Sequence, residues 1–149
     1  MKTTGGHGVR VRIAAVAATI IVSAGGGSAD DLTGITSFLC APVQATLCVE
    51  DGECVVDLHW NVNIPQFIEV DLGALRLGTT AASGENRVTA IEHLRRVDGT
   101  IVFHGYEMDR AFSWVIDEGT GHVTAVVATD GVAVSVFGVC TPLAAADAG

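Results

Sequence analysis

Residues 110–142 read RAFSWVIDEGTGHVTAVVATDGVAVSVFGVCTP, and this stretch decides the fold. Apolar and polar residues alternate over 111–117, 122–129 and 132–140, and a period of two is typical of a half-buried β-strand. The first two runs are joined by Glu-Gly-Thr-Gly and the last two by Asp-Gly. Asp-Gly between alternating runs is the strongest short-range hairpin signal, because both residues tolerate a positive φ. The stretch therefore predicts an antiparallel meander.

The same alternation continues toward the N-terminus, and helical periodicity is nearly absent. Further strands are expected at 39–49, 54–60, 67–77, 87–97 and 100–106, with a polar loop at 79–86. An up-and-down sheet of this size hides its edges by closing into a small barrel, and a two-layer β-sandwich is the alternative. We predict an all-β fold, an up-and-down antiparallel meander of about eight strands in a closed or nearly closed barrel.

The strand at 39–49 has two features that constrain its place in the sheet. Pro42 has no N–H for a ladder, so the strand lies at an edge or turns that position away from its neighbour. One face of the strand is predicted to carry the apolar residues Leu39, Ala41, Val43, Ala45, Leu47 and Val49.

Residues 1–29 have the order of a secretory signal peptide. Lys2, Arg10 and Arg12 come first, an apolar run at 13–24 follows, and small residues end the segment, with cleavage expected after Ala29. The apolar run is shorter than the roughly 20 residues that span a bilayer, which makes an uncleaved anchor the weaker alternative. The predicted organisation is a signal peptide at 1–29, a single all-β domain at 30–143 and a disordered tail at 144–149.

The chain is acidic, and removal of the leader makes it more so. Three of the eight basic residues lie in the leader and all 17 acidic residues lie beyond it, so the charge of the remaining chain is −12. Such a domain is repelled by phosphate backbones and anionic lipid, which excludes nucleic acid and, after signal cleavage, the membrane surface as partners. A basic protein or a small apolar ligand is the expected partner.

Four cysteines lie beyond the leader, and an even count in an exported chain indicates disulfides in a periplasmic or secreted protein. A three-residue loop at 50–52, with Gly52 in the left-handed region, places Cys48 opposite Cys54, whereas a two-residue turn would put them on opposite faces. Cys40 then pairs with Cys140, and two other connectivities remain open. Structural zinc is disfavoured, because only Cys48 and Cys54 are closely spaced.

The sequence contains no catalytic motif that we can assign. Histidines do not form a metal-binding pattern, carboxylates do not form a calcium loop, and serines do not lie in Gly-x-Ser-x-Gly. We therefore assign no catalytic, cofactor-binding or metal residue and expect no cofactor. His59, His104, Trp60 and Trp114 are candidate binding residues, although histidines on strands and aromatic residues in a core are the more ordinary interpretation.

Two segments, 48–71 and 110–142, resemble a set of small exported Gram-negative bacterial proteins that end in a β-hairpin and FGxCTP. The matching features of the first segment are Gly52, Cys54, Asn63-Ile64-Pro65 and Phe67. Together the segments cover a little over half of the chain beyond the leader. The resemblance implies export and carries no known activity and no catalytic residue.

These observations favour a non-enzymatic exported β-domain that binds a small ligand in its interior or a protein partner through its loops. Small disulfide-bonded barrels include inhibitors of proteases and lysozymes, so an inhibitor-like module is one form of this hypothesis. The alternative is a periplasmic hydrolase or metal-dependent enzyme that uses carboxylates with His59 or His104. That alternative requires a histidine and two carboxylates to converge in one pocket.

Overall fold

The computed structural model describes residues 30–143, so the predicted signal peptide and C-terminal tail lie outside the described residues. These residues form ten strands and two short 3₁₀ helices, at His59–Val62 and Ala81–Ser83, with no α-helix among them. No helix in the described part of the chain is long and apolar enough to cross a membrane. The strands are β1 Ser37–Val49, β2 Cys54–Asp57, β3 Ile68–Asp71, β4 Arg76–Thr79, β5 Val88–Ala90, β6 His93–Val97, β7 Thr100–Glu107, β8 Arg110–Asp117, β9 His122–Thr129 and β10 Val132–Pro142.

All strands belong to one antiparallel sheet with the order β5-β4-β3-β1-β10-β9-β8-β7-β6, and β2 pairs with β1. The sheet curls through 285° into a half-barrel. The first strand therefore lies beside the last, and the opening of the barrel falls between β5 and β6, which are consecutive in the chain. The predicted all-β meander in a nearly closed barrel is confirmed.

Three predicted strands are shorter or divided in the structure, and in two of them an aspartate side chain turns the chain. The strand expected at 67–77 divides into β3 and β4, where Asp71 Oδ1 accepts a 2.9 Å bond from the Ala74 N–H and Leu75 adopts φ 50°. The strand expected at 54–60 ends at Asp57, whose Oδ1 accepts bonds from the Leu58 N–H and the Asn61 amide. Side-chain acceptors compete with the ladder in this way. The strand expected at 87–97 divides into β5 and β6.

A β-bulge corrects the predicted apolar face of β1. Pro42 lies opposite Gly138 and Gln44 opposite Phe137, so Val43 is an extra residue and the side chains change faces there. Before the bulge Phe38 and Cys40 are buried, and after it Ala45 is, whereas the regular pattern had placed Leu39 and Ala41 on the same face as Ala45.

Pro42 is accommodated although β1 is a central strand. On the edge of β1 away from β10, β3 pairs with residues 37–40 and β2 pairs with residues 45–48. Pro42 lies in the interval between these two ladders. Its missing N–H therefore removes no hydrogen bond to β2 or β3. A proline is tolerated inside a sheet only at such an unpaired position.

Both predicted disulfides are present, and they are consistent with an oxidising, extracytoplasmic compartment. Cys40–Cys140 joins the first strand to the last and is buried, and Cys48–Cys54 joins β1 to β2. The three-residue loop is as expected, since the Val49 N–H donates to the Glu53 carbonyl at 3.0 Å and Gly52 has φ 92°.

Large side chains fill one half of the barrel interior. The residues with no exposed surface include two phenylalanines and several branched aliphatic residues, Leu32, Phe38, Val70, Ile101, Phe103 and Ile116. Leu32 belongs to the segment before β1, and its N–H donates a 2.7 Å bond to the Glu118 carbonyl. Phe103 stacks on Trp114 with 5.3 Å between ring centroids, and Trp114 forms the boundary with the other half of the interior.

Candidate functional site

The barrel interior is only partly filled by the large core side chains. Beyond Trp114 it contains a pocket of about 80 Å³, which we call the interior pocket. Its wall is almost wholly apolar. The lining side chains from the large sheet are Pro42, Phe112, Trp114, Val123, Ala125, Val127 and Val136, together with Cys40 of the buried disulfide. Ile64, Pro65, Ile68 and Leu77 complete the apolar lining from the other side.

The pocket is hollow because small residues face inward at this level of the sheet. Ala125 lies between Trp114 on β8 and Val136 on β10 in the ladder, and its methyl group leaves the space that a larger side chain would fill. Gly138 lines the pocket on β10 and cannot be replaced without a shift, since a Cβ there would lie 2.5 Å from the Ala41 carbonyl oxygen. In a small barrel, side-chain size at such positions decides whether the interior is filled or can hold a ligand.

One uncharged and three charged polar side chains form the rim of the pocket, and we call them the rim network: Arg87, Thr89, Glu107 and Arg110. Arg87 donates two bonds to Glu107, at 2.7 Å from Nη2 and 3.3 Å from Nε. The Thr89 hydroxyl donates to Glu107 Oε1 at 2.9 Å, and Arg110 Nη2 donates to Oε2 at 3.2 Å. Glu107 ends β7 and Arg110 begins β8, so the hairpin turn between them brings both to the rim.

Glu107 is ionised in this setting. Burial raises the pKa of its carboxyl, but the bonds from Arg87 and Thr89 and the charges of Arg87 and Arg110 outweigh burial and hold the pKa below the ordinary value. The pKa of Arg87 is raised, chiefly by its bonds to Glu107. Glu85 also accepts a bond from Arg87 at 3.2 Å, so two guanidinium groups face two carboxylates.

Arg110 is the cation with unused bonding capacity at this rim. Its side chain is only 17% exposed, and the described residues accept one hydrogen bond from it, at Glu107. A guanidinium group has five N–H donors in a planar fork that matches a carboxylate. The rim can therefore bind an anionic group of a molecule whose apolar part occupies the interior pocket.

The four binding candidates from the sequence lie in three different places. Trp114 lines the interior pocket. His59 is buried, and its Nδ1 donates to the Ile64 carbonyl at 2.9 Å, which ties together the loop that leads to β3. Trp60 is exposed and contacts the His59 ring edge-on, and His104 is exposed on the outer face, stacked on His93 at 4.7 Å. The structure does not bring these four residues together.

The rim network was missed at the sequence level because its members are spread along the chain. Arg87 and Glu107 are 20 residues apart, and only the approach of β5 to β7 joins them. A signal did exist: a glutamate and an arginine flank the predicted turn at 107–110, and only five basic residues lie beyond the leader. Two of the few charged residues of opposite sign at one hairpin turn indicate an ion pair at that end of the sheet.

The convergence that the enzyme alternative required is not found in this pocket. Among the described residues that line it, Glu107 is the only carboxylate and no histidine is present. No group of three or more histidine, cysteine, aspartate or glutamate side chains in the described part of the chain could hold a metal ion.

The sequence matches no protein-family model and no curated protein, and the fold matches no solved structure. The resemblance of 48–71 and 110–142 to exported bacterial proteins therefore stays a prediction. The function has to be inferred from the geometry of the half-barrel.

Proposed function

We propose that the protein is an exported, periplasmic or secreted binding domain whose interior pocket takes up a small apolar molecule with an anionic group. The observation that carries the proposal is an apolar hollow with Arg110, largely unpartnered, at its rim. Ligand sites in small barrels combine an apolar wall with a few polar groups that fix orientation. The two disulfides support function outside the cytoplasm.

The anionic group of the ligand is inferred from the hydrogen bonds that Arg87 and Arg110 donate to Glu107 in the rim network. Glu107 is already held by two bonds from Arg87, so Arg110 can turn toward a ligand without leaving Glu107 unpaired. A ligand carboxylate would then share the guanidinium of Arg110 with Glu107. Charge-assisted bonds of this kind are roughly twice as strong as neutral ones.

The volume of the pocket limits the enclosed part of the ligand to a short chain. At about 80 Å³ it is well below the volume of a pocket for a drug-sized molecule, roughly 300–1,000 Å³. An engineered protein cavity of about 150 Å³ holds benzene. With about half of that volume, the interior pocket encloses a chain of roughly three to four carbons, and a longer chain would extend out of the mouth.

Trp114 provides the readout for a test. The chain has two tryptophans, and Trp60 is exposed and does not line the interior pocket, so the Trp60→Phe variant leaves Trp114 as the only reporter. We expect butanoate, hexanoate and octanoate to change Trp114 emission saturably, with a Kd below about 1 mM for the best of them. The alcohols of equal length should bind at least about fivefold more weakly, because they lack the charge that Arg110 recognises.

Two variants separate the parts of the proposal. Ala125→Leu fills the interior pocket, so binding should be lost while the denaturation midpoint is kept or raised. Arg110→Gln should make acids and alcohols bind equally. If no probe gives a saturable change, or if Ala125→Leu binds as well as the parent, the pocket is not the site. If Arg110→Gln still prefers acids, the anionic group is recognised elsewhere.

A further inference from the structure

The outer edge of β2 is a second feature with binding potential, and it does not involve the interior pocket. Among the described strands, β2 pairs only with β1, over Cys48↔Cys54 to Ala45↔Asp57. Its other edge has no neighbouring strand there. A strand edge of this kind presents backbone N–H and C=O groups that another chain can pair with.

The register identifies which backbone groups are free. The Val49 N–H donates to the Glu53 carbonyl, so this pair is hydrogen-bonded, and bonded and non-bonded pairs then alternate along the ladder. Val55 and Asp57 therefore bond to β1. The N–H and C=O groups of Cys54 and Val56 point away from it, and no described residue outside the ladder bonds to them.

The side chains along this edge are apolar and unusually exposed. Val55 is 55% and Val56 69% exposed, although they lie on opposite faces of β2. Leu58 and Trp60, which follow β2 in the chain, are 48% and 59% exposed. Exposed tryptophan and branched aliphatic residues next to an open strand edge are typical of a binding surface rather than of a solvated loop.

Apart from its short length, β2 has few of the usual protective devices of an edge strand. Edge strands commonly carry lysine, proline, a bulge or an inward-pointing charge that blocks pairing. The β2 sequence Cys-Val-Val-Asp has no lysine, proline or bulge, and its one charged residue is the terminal Asp57. Only its short length limits the edge. The Cys48–Cys54 disulfide fixes β2 on β1, so little ordering entropy is lost when another strand adds to it.

Charge identifies the kind of partner. The turn before β2 contains Glu50, Asp51 and Glu53, and Asp57 ends the strand. From residue 30 to residue 75 the chain has eight acidic residues and no lysine or arginine. A second copy would place these acidic residues near one another in an antiparallel pair, which is repulsive, whereas a cationic strand would meet opposite charge at both ends.

We propose that the free edge of β2 binds an extended cationic segment of another protein by strand addition. The segment bonds to the backbone of Cys54 and Val56, its apolar residues contact Val55, Val56 and Trp60, and its flanking lysines or arginines face the acidic residues at the two ends. This interaction is independent of the ligand in the interior pocket.

A synthetic peptide, acetyl-Lys-Lys-Thr-Val-Thr-Val-Lys-Lys-amide, is the probe. Titration followed by NMR should shift the amides of Cys54 and Val56 and slow their hydrogen exchange. Raising NaCl from about 0.02 M to about 0.3 M should weaken binding several-fold, because exposed charges are screened. The same peptide with glutamate in place of lysine should not bind.

Backbone pairing is tested with the wild-type protein by methylating the peptide nitrogens. Methylation of one alternate set of nitrogens should weaken binding at least tenfold, and methylation of the other set less than twofold, because only one set faces β2. In the protein, Val56→Pro removes an outward N–H and no bond to β1. It should weaken binding at least tenfold, whereas Val56→Thr, which keeps the N–H and the β-branched shape and loses only part of the apolar contact, should weaken binding far less.

Three results would overturn the proposal. Equal effects of the two methylation patterns would mean that the peptide does not add as a strand. Peptide shifts confined to residues away from β2 would place the site elsewhere. Self-association of the protein in sedimentation that Val56→Pro abolishes would make a second copy the occupant instead of a cationic segment.

Discussion

At the scale of single residues, Glu107 organises the rim of the interior pocket. It accepts bonds from Arg87 and Thr89, which lie together at the start of β5, and from Arg110 at the start of β8. Its side chain is largely shielded from water, which strengthens these interactions relative to an exposed ion pair. Loss of this one carboxylate would leave two guanidinium groups close together without their shared partner.

Glu107→Gln should lower the free energy of unfolding by about 2 kcal/mol at pH 7, which is the scale of hydrogen bonds to a charged group. The pKa of Glu107 is lowered in the folded state, so its contribution is complete above the unfolded pKa of about 4.3 and is lost as pH falls through the folded value. Urea unfolding at pH 7, 5 and 3 should therefore show a gap between wild type and variant that shrinks only at the most acidic pH.

Glu69→Gln is the matched control, since Glu69 is exposed and bonds to no described side chain. It should leave the free energy of unfolding unchanged at each pH. A gap for Glu107→Gln that is as large at pH 3 as at pH 7 would mean that the charge of Glu107 contributes nothing.

At the scale of elements, the bulge at Val43 sets the geometry of the longest ladder, β1 with β10. It changes which side chains of β1 face the interior and brings the Ala41 carbonyl against Gly138. The close approach is possible only because residue 138 has no Cβ. Bulge and glycine therefore act as a pair.

Gly138→Ala should lower the free energy of unfolding by about 1–3 kcal/mol, because backbone atoms cannot yield as a flexible side chain would. Gly78→Ala is the control. Gly78 is also a strand glycine, and no atom lies within 4 Å of the position of an added Cβ there. It should be neutral or stabilise by a few tenths of a kcal/mol. Chemical denaturation compares the two, and equal midpoints would show that the bulge adjusts without cost.

At the scale of the whole molecule, the half-barrel depends on the junction between its first and last strands. The β1–β10 ladder runs along nearly all of β1, from Phe38 to Val49, and the buried Cys40–Cys140 disulfide lies within it. The sheet instead opens between β5 and β6, although only residues 91–92 connect these two strands along the chain. A disulfide therefore joins the two strands that are most distant in the chain, whereas two consecutive strands stay unpaired.

Replacing Cys40 and Cys140 by alanine should therefore cost more stability than the same replacement of Cys48 and Cys54. In the chain-entropy model, loops with sequence separations of 100 and 6 correspond to about 4.7 and about 2 kcal/mol. Urea unfolding of the two double variants measures the difference. A larger loss from the Cys48–Cys54 pair would mean that closure of the barrel is secured by packing and the ladder alone.

The sequence was sufficient for those features that depend on local chemistry. The hairpins at 98–99 and 130–131 follow from Asp-Gly, and β9 was predicted with its observed bounds, His122–Thr129. The loop at 50–52 gave the Cys48–Cys54 pairing, and the remaining pair implied that first and last strands are neighbours. These features depend on residues a few positions apart in the chain. The Cys40–Cys140 pair follows because these two cysteines remain once Cys48 and Cys54 are paired.

The features that only the tertiary structure decided depend on contacts between residues far apart in the chain. The Val43 bulge, the hollow beside Ala125 and the approach of Arg87 to Glu107 depend on neighbours 11 or more residues away, and no local pattern encodes such contacts. The free edge of β2 likewise exists because β3, not β2, continues the sheet from β1. By itself the sequence determined an exported, disulfide-bonded β-meander as the expectation; packing across the half-barrel decided where it is hollow, where it is charged and where it is open.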